Sequence, residues 1–421
     1  GAPPGSNSSG NAGSSGNQTA NAGTNANTST PVGSGGSGGN TNGNSSEGQG
    51  GSVPLANGGN TNMQGGGNGT PSGGAASGGA STGSAGASGS PAASGGSGGA
   101  SGQTVVGRVG ADQCPAGPFD SPLPANPSAK KIVSLPMTNF NTYNWEGVVW
   151  IGDSLYWSEI DQVQNPPTAR INKFTPPDTF TEGFIQNTGS NGLATDAQGN
   201  IIAATHDVGA ISIFALPDGT RSQFGGASAQ TFMGKRFNSP NDLVLRGDGN
   251  LYFSDPSFQA PNPQPQSSTS VYRISPSGAV NVVDSLSNPN GVTLSPDGNI
   301  LYVDAGDGAL RSYAVAADGS TSAATMVPLS GGSLQTPDGM AMDCAGNIYV
   351  VENGAKRIRV LKPDGTEIGR IQNADGGTFA QSLTNIAFGG PDRKTLFISG
   401  FVSAQSGGLY SIDLNVPGFP Y

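Results

Sequence analysis

The sequence predicts an all-β fold, a six-bladed β-propeller of four-stranded blades, on three observations. One short phrase recurs six times at a nearly constant spacing. Each copy has the grammar of a β-hairpin. The last copy lacks one strand, and a strand upstream of the first copy is left over to supply it.

The clearest copy runs Asn290-Gly291-Val292-Thr293-Leu294, then Ser-Pro-Asp-Gly, then Asn299-Ile300-Leu301-Tyr302-Val303. A polar residue opens a short apolar strand, an Asp-Gly turn follows, and the second strand is aromatic and β-branched, as a hairpin requires. The second strands align on Leu155, Ile201, Leu251, Leu301, Ile348 and Leu396, at intervals of 46, 50, 50, 47 and 48. The opening residues are Glu146, Asn191, Asn241, Asn290, Asp338 and Thr384, at intervals of 45, 50, 49, 48 and 46. All six openers carry a side-chain oxygen.

In chain order, residues 1–103 form a tail rich in Gly, Ser, Asn and Ala, and Glu47 is the only charge before Arg108. Such a segment buries too little apolar surface to offset its ordering entropy, so it is expected to be disordered. As a Gly/Ser-type coil it would span roughly 50–60 Å end to end, a tether or spacer. Residues 104–130 are a transition segment, rich in Pro and expected to be irregular. The folded domain is expected over 131–421. Lys131–Leu135 is its first strand, ended by Pro136.

The first repeat reads as strands at Val148–Trp150, Ser154–Ser158, Ala169–Phe174 and Phe180–Ile185. The third reads as Leu243–Leu245, Leu251–Ser254, Ser270–Ile274 and Val280–Val283, with its longest insertion, Pro256–Ser268, after the second strand. Insertions of this kind gather on one face of a repeat array, often the binding face. The fifth has strands at Met340–Met342, Asn347–Val351, Arg357–Leu361 and Glu367–Ile371. The sixth stops after Leu409–Asp413. Lys131–Leu135 would complete it, closing the ring and covering an exposed edge.

The formal net charge is −10. Phosphate recognition needs clustered Lys and Arg, so nucleic acid and anionic membrane are excluded as expected partners. No run of 18 apolar residues occurs, so no spanning segment is expected. The sequence starts at Gly1 without Met. That reads as a processed, secreted chain, periplasmic or tethered to the cell surface, with a lipoprotein lacking its modified first residue as one form. The two cysteines, Cys114 and Cys344, permit one disulfide in such a compartment, stapling the transition segment to the turn of the fifth repeat, with two free thiols as the alternative.

In a propeller the first strands line the central channel, so six openers make a ring at one channel mouth. Two carboxylates, three carboxamides and a hydroxyl are hard oxygen donors, suited to Ca²⁺ or Mg²⁺, with amide oxygens and irregular geometry favouring Ca²⁺. Local capping of turns is the plain alternative at any single position. No nucleophile elbow, phosphate loop or zinc spacing occurs in the folded part.

Residues 131–421 resemble the gluconolactonase/regucalcin (senescence marker protein) family of six-bladed calcium propellers. The likeness rests on Glu146-Gly147-Val148-Val149-Trp150, Asn238–Leu243, Phe253-Ser254-Asp255-Pro256, Pro289-Asn290-Gly291, Pro337–Met340, Thr384–Asp392 and Leu414–Gly418. The family usually has Pro where Val148 stands. The resemblance implies one catalytic Ca²⁺ at the channel mouth, held by Glu146, Asn241, Asn290 and Asp338, with Asn241 also meeting substrate. It implies a hydrolase that opens a sugar lactone, the metal polarising the carbonyl and Asp338 serving as general base, or as nucleophile in an ester-hydrolysing variant. Asn191 joins the ring by spacing and is a candidate substrate contact, as is Asp255 at a strand end. His206, the only histidine, is a candidate proton carrier or binding residue beside the mouth. Trp150, Trp157 and Tyr252 are expected in the core between blades. A monomer acting on a small-molecule lactone or ester is expected. The competing readings are a phosphotriester or aryl ester hydrolase on the same site, and a non-catalytic, surface-displayed binding propeller with structural calcium.

Overall fold

In a computed structural model the described residues are 114–136, 143–161, 166–373, 379, 382–403 and 406–419. The tail and the start of the transition segment lie outside them. Among the described residues there is no helix, and twenty-four strands pair into five sheets.

Strand β1 (Ser128–Pro136) precedes six groups. The first holds β2 (Tyr143–Ile151), β3 (Ser154–Asp161), β4 (Thr168–Thr175) and β5 (Thr179–Ile185). The second holds β6 (Ser190–Thr195), β7 (Ile201–Thr205), β8 (Ala210–Phe214) and β9 (Arg221–Gln223). The third holds β10 (Leu243–Leu245), β11 (Leu251–Asp255), β12 (Ser270–Ile274) and β13 (Val280–Ser285). The fourth holds β14 (Val292–Leu294), β15 (Ile300–Asp304), β16 (Leu310–Ala314) and β17 (Thr325–Met326). The fifth holds β18 (Pro337–Met342), β19 (Ile348–Glu352), β20 (Arg357–Leu361) and β21 (Glu367–Asn373). The sixth has only β22 (Ser382–Gly389), β23 (Thr395–Ser403) and β24 (Ser406–Asp413).

The first four groups are separate antiparallel sheets in chain order. β1 lies antiparallel beside β24, from Lys130↔Ser411 to Pro136↔Ser406, and so stands where the sixth group lacks a strand. It also pairs parallel with β21 at Ser128↔Gln372 and Ala129↔Asn373, which merges the last two groups into one eight-stranded sheet. That second pairing was not expected. It arises because β1 starts at Ser128, inside the segment read as irregular. Its other described residues, 114–127, form no strand, and Asn415 donates its backbone N–H to the Pro122 carbonyl at 3.0 Å.

The recurring turn has a physical cause. Asp343 accepts the N–H groups of Ala345 and Asn347, each at 2.9 Å, and the Asn347 side-chain amide at 2.8 Å. Asp196 holds its turn in the same way, and Asp248 accepts the backbone N–H and the side-chain amide of Asn250. The glycine in each of these three turns, Gly199, Gly249 or Gly346, sits at φ between 82° and 87°, which a side chain would strain.

Six clusters of buried side chains lie between the groups, one for each consecutive pair and one joining the sixth group to the first. In that last cluster Trp145 and Trp157 pack at 5.1 Å between ring centroids, beside Phe397 and Leu409. Tyr252 is core between the third and fourth groups, and Trp150 stacks on Phe397, as expected of these aromatics. All eight residues of β3 are buried because both of its faces meet a neighbouring sheet. The first strands touch in a cycle: β2 with β6, β6 with β10, β10 with β14, β14 with β18, β18 with β22 and β22 with β2.

Candidate functional site

Each opener sits at an irregularity in its first strand. The pairing register shifts between Glu146 and Val149, Ser190 and Leu193, Pro337 and Met340, and Leu383 and Ile386. In the third group Ser254 alone exchanges backbone bonds with both Asn241 and Asp242. In the fourth, Asp304 does so with Asn290 and Gly291. An extra residue of this kind is a β-bulge, which re-aims a side chain that the regular pleat would bury.

The residues after the openers are Gly147, Gly192, Asp242, Gly291, Gly339 and Asn385. Glycine is needed because the first strands crowd together. A Cβ on Gly147 would lie 2.0 Å from the Asn191 carbonyl oxygen, and one on Gly192 would lie 2.3 Å from that of Asn241. Asp242 and Asn385 are the exceptions, and their side chains meet. Asp242 also accepts the Val292 N–H at 3.0 Å. Burial pushes its carboxyl up to about 7, opposed by these hydrogen bonds.

Four openers line one cavity of ≈ 490 Å³: Glu146, Asn241, Asn290 and Asp338. Asn144 donates to Glu146 Oε1 at 2.7 Å. Asn290 donates to Asp338 Oδ1 at 2.9 Å, and Asn353 to Oδ2 at 3.4 Å. Burial raises the Glu146 carboxyl well above the usual carboxylate range, and the charges of Asp338 and Asp242 raise it further. Asp338 is likewise pushed up by burial, against the Asn353 and Asn290 amides. Two side-chain carboxamide oxygens of this wall, Asn290 Oδ1 and Asn144 Oδ1, are buried without a hydrogen-bond partner. Among the described residues no three His, Cys, Asp or Glu side chains gather as a metal group. The four openers offer two carboxylates and two amides instead, and their crowded carboxyls, with the unpaired oxygens of Asn290 and Asn144, fit a hard cation.

The remaining sequence candidates do not line this cavity. Asn191 and His206 are brought together, Nδ2 to Nε2 at 3.4 Å, and both are buried. Burial, chiefly, lowers the imidazole to about 4, so it is neutral. Asp255 is fully buried, and its carboxylate accepts the N–H groups of Asn238 at 2.9 Å and Ser239 at 2.8 Å. It props the loop that carries Asn241 and offers no open face to a substrate. The Thr384 hydroxyl is taken by the Trp145 carbonyl and by Ser399. Thus strand position makes the six openers equivalent, but only four face the cavity.

Sequence reasoning missed Asp242, Asn144, Asn353, Asn385 and Asp304. Asp304 Oδ2 accepts the Gly291 N–H at 2.8 Å, and its Oδ1 is buried and unpaired. A signal existed for Asp304: β11, β15 and β19 all end in a carboxylate, Asp255, Asp304 and Glu352. The second strands thus repeat a carboxylate at their ends as the first strands repeat an oxygen at their starts. The cysteines form a disulfide, Cys114 to Cys344, with Cα atoms 5.4 Å apart.

A family model described as the SMP-30/gluconolactonase/LRE-like region matches residues 145–401. The chain is 32% identical over 278 residues to a gluconolactonase of Zymomonas mobilis, covering 60% of this chain and 75% of that protein. It is 26% identical over 263 residues to a pentonolactonase of Haloferax volcanii, covering 60% and 80%. Among solved structures, a gluconolactonase from Xanthomonas campestris superimposes with a TM-score of 0.54 at 26% identity, over 72% of this chain and 99% of that one. The calcium-binding protein regucalcin from Agrobacterium tumefaciens shares the fold, with a TM-score of 0.51 at 16% identity over 69% and 98%.

Proposed function

The chain belongs to the SMP-30/gluconolactonase/LRE-like family and is a lactone hydrolase; we propose that it opens sugar lactones with the help of Ca²⁺ held by Glu146, Asn241, Asn290 and Asp338. The observation that carries this reading is the convergence of those four oxygen-bearing openers on one cavity. The unpaired Asn290 oxygen supports the metal, since an amide carbonyl buried without a donor is costly unless something binds it. We read the six groups as six blades of a closed propeller, with β1 as the last strand of the sixth. The cycle of first-strand contacts and the six inter-group clusters support this.

When bound, the ion would polarise the lactone carbonyl as a Lewis acid. The chain's own residues do the rest. Asn290 and Asn353 orient the Asp338 carboxylate on the cavity wall. Asp338 takes a proton from the water that adds to the carbonyl. It returns that proton to the ring oxygen as the acyl C–O bond breaks, so lactone and water leave as a hydroxy acid. Asn144, on the same wall, holds Glu146 through Oε1. We assign His206 to holding Asn191, and Asp255 to holding the Asn241 loop. The disulfide supports a place outside the reducing cytoplasm, secreted, periplasmic or surface-tethered.

EGTA is expected to abolish hydrolysis of glucono-1,5-lactone, and added Ca²⁺ to restore it. Asp338→Asn is expected to lower kcat by about 10²–10⁴ as a lost proton acceptor. Full activity after exhaustive chelation would sink the metal's role. A folded protein that turns over no lactone with Ca²⁺ present would favour the binding-module reading.

A further inference from the structure

The insertion between β11 and β12 carries an aromatic side chain to the candidate cavity. Phe258 is 49% exposed, and the other exposed large apolar side chains among the described residues, Ile132, Met233, Val282 and Met326, are aliphatic or thioether. It lines the same cavity as Glu146, Asn241, Asn290 and Asp338. A single exposed Phe on a loose loop would mean little. This one is held in register with the openers. The Ser257 N–H and hydroxyl both donate to Asn288 Oδ1, at 3.0 and 2.9 Å. The Ser239 hydroxyl donates to the Pro256 carbonyl at 2.7 Å and accepts the Gln259 N–H at 3.4 Å. Asn288 and Ser239 each stand two residues before an opener, Asn290 and Asn241. Farther along the insertion, the buried Gln266 amide lies within hydrogen-bond reach of the Phe232, Lys235 and Arg236 carbonyls.

The rest of the lining is mostly polar, with Ser287, Asn288, Asp307 and Thr336 beside the apolar Leu334 and Pro337. A ligand here meets one aromatic side chain and an array of hydrogen-bonding groups. An acyl chain would leave those groups unpaired. A polyhydroxylated ring matches both, since its axial C–H bonds form an apolar face and its hydroxyls point outward. We propose that Phe258 is a specificity-determining residue that stacks on the C–H face of an aldonolactone, leaving the ring's hydroxyls to the polar wall and its carbonyl to the openers. The inference rests on the lactone-hydrolase reading.

Steady-state kinetics on glucono-1,5-lactone test it, with wild type, Phe258→Ala, Phe258→Leu and Phe258→Tyr. Loss of a stacked face predicts a KM raised about tenfold in the Ala and Leu variants, with kcat within about twofold, and Tyr within about twofold of wild type in both. Leu keeps the apolar bulk without the aromatic face, and the melting temperature of each variant reports folding separately. A KM unchanged in Ala and Leu, a fall in kcat alone, or a Tyr variant as impaired as Ala overturns the stacking role while leaving the lactonase reading intact. A folded wild type that opens no lactone overturns both.

Discussion

His206 shows how burial decides chemistry at a single residue. Its ring is walled in beside Asn191, and desolvation outweighs the neighbouring Asp207, so the imidazole titrates at about 4 instead of 6.5. Between those values the unfolded chain binds a proton that the folded chain refuses. Stability is therefore full above pH 6.5 and is lost as pH falls towards 4, by roughly 3 kcal/mol for this group. Urea unfolding at pH 7 and pH 4.5 should show a smaller loss in His206→Gln than in wild type. An equal loss in both would remove His206 from the account. The carboxyls of Asp242 and Asp255, both raised to about 7 by burial, act in the opposite sense, so the comparison with the variant is the informative one.

At the scale of the strand, the bulge is the working part. It lets a first strand be core over most of its length and still aim one polar side chain outward at its start. The residue after the opener then lies where neighbouring first strands nearly touch. Gly192→Ala would put a methyl group 2.3 Å from the Asn241 carbonyl oxygen and 2.8 Å from Asp242 Cα. The expected cost is about 1–3 kcal/mol, typical of overpacking. Because the push falls on Asn241, lactone turnover should drop as well. Gly226→Ala, with open space around the new atom, should stay within about 0.5 kcal/mol of wild type. Chemical denaturation of the two variants separates crowding at the bulge from a general intolerance of alanine.

Across the whole domain, both ends of the described chain are pinned at one turn. Cys114 is bonded to Cys344 across 230 residues of sequence. The Cys344 N–H also donates to the Pro417 carbonyl at 2.8 Å. A cross-link over so long a loop restricts the unfolded chain strongly, and losing it should cost about 2–5 kcal/mol. Thermal unfolding with and without reductant checks this. The melting temperature should fall on reduction, and the double variant Cys114→Ser, Cys344→Ser should start low and ignore reductant. A wild type indifferent to reductant would show that β1 pairing alone holds the ends.

The hairpin phrase, its period, the strand order and the set of oxygen-bearing openers were all legible in the sequence, because each follows from local rules. Strand alternation, the Asp-Gly turns and a fixed repeat length need no knowledge of distant residues. The pairing of β1 with β24 was legible too, since a missing strand and a spare one can be counted. What could not be read was which openers share a cavity. Glu146, Asn241, Asn290 and Asp338 do, while Thr384 spends its hydroxyl on a backbone carbonyl and Asn191 faces His206. Asp255 looked like a substrate contact and holds a loop. Phe258 was one of thirteen residues in an insertion until Asn288 and Ser239 were seen to hold its loop against the openers. By itself the sequence determined the repeat and the chemical kind of each donor, which are properties of short segments. Tertiary structure alone decided which donors face one another, because that depends on where adjacent sheets leave room.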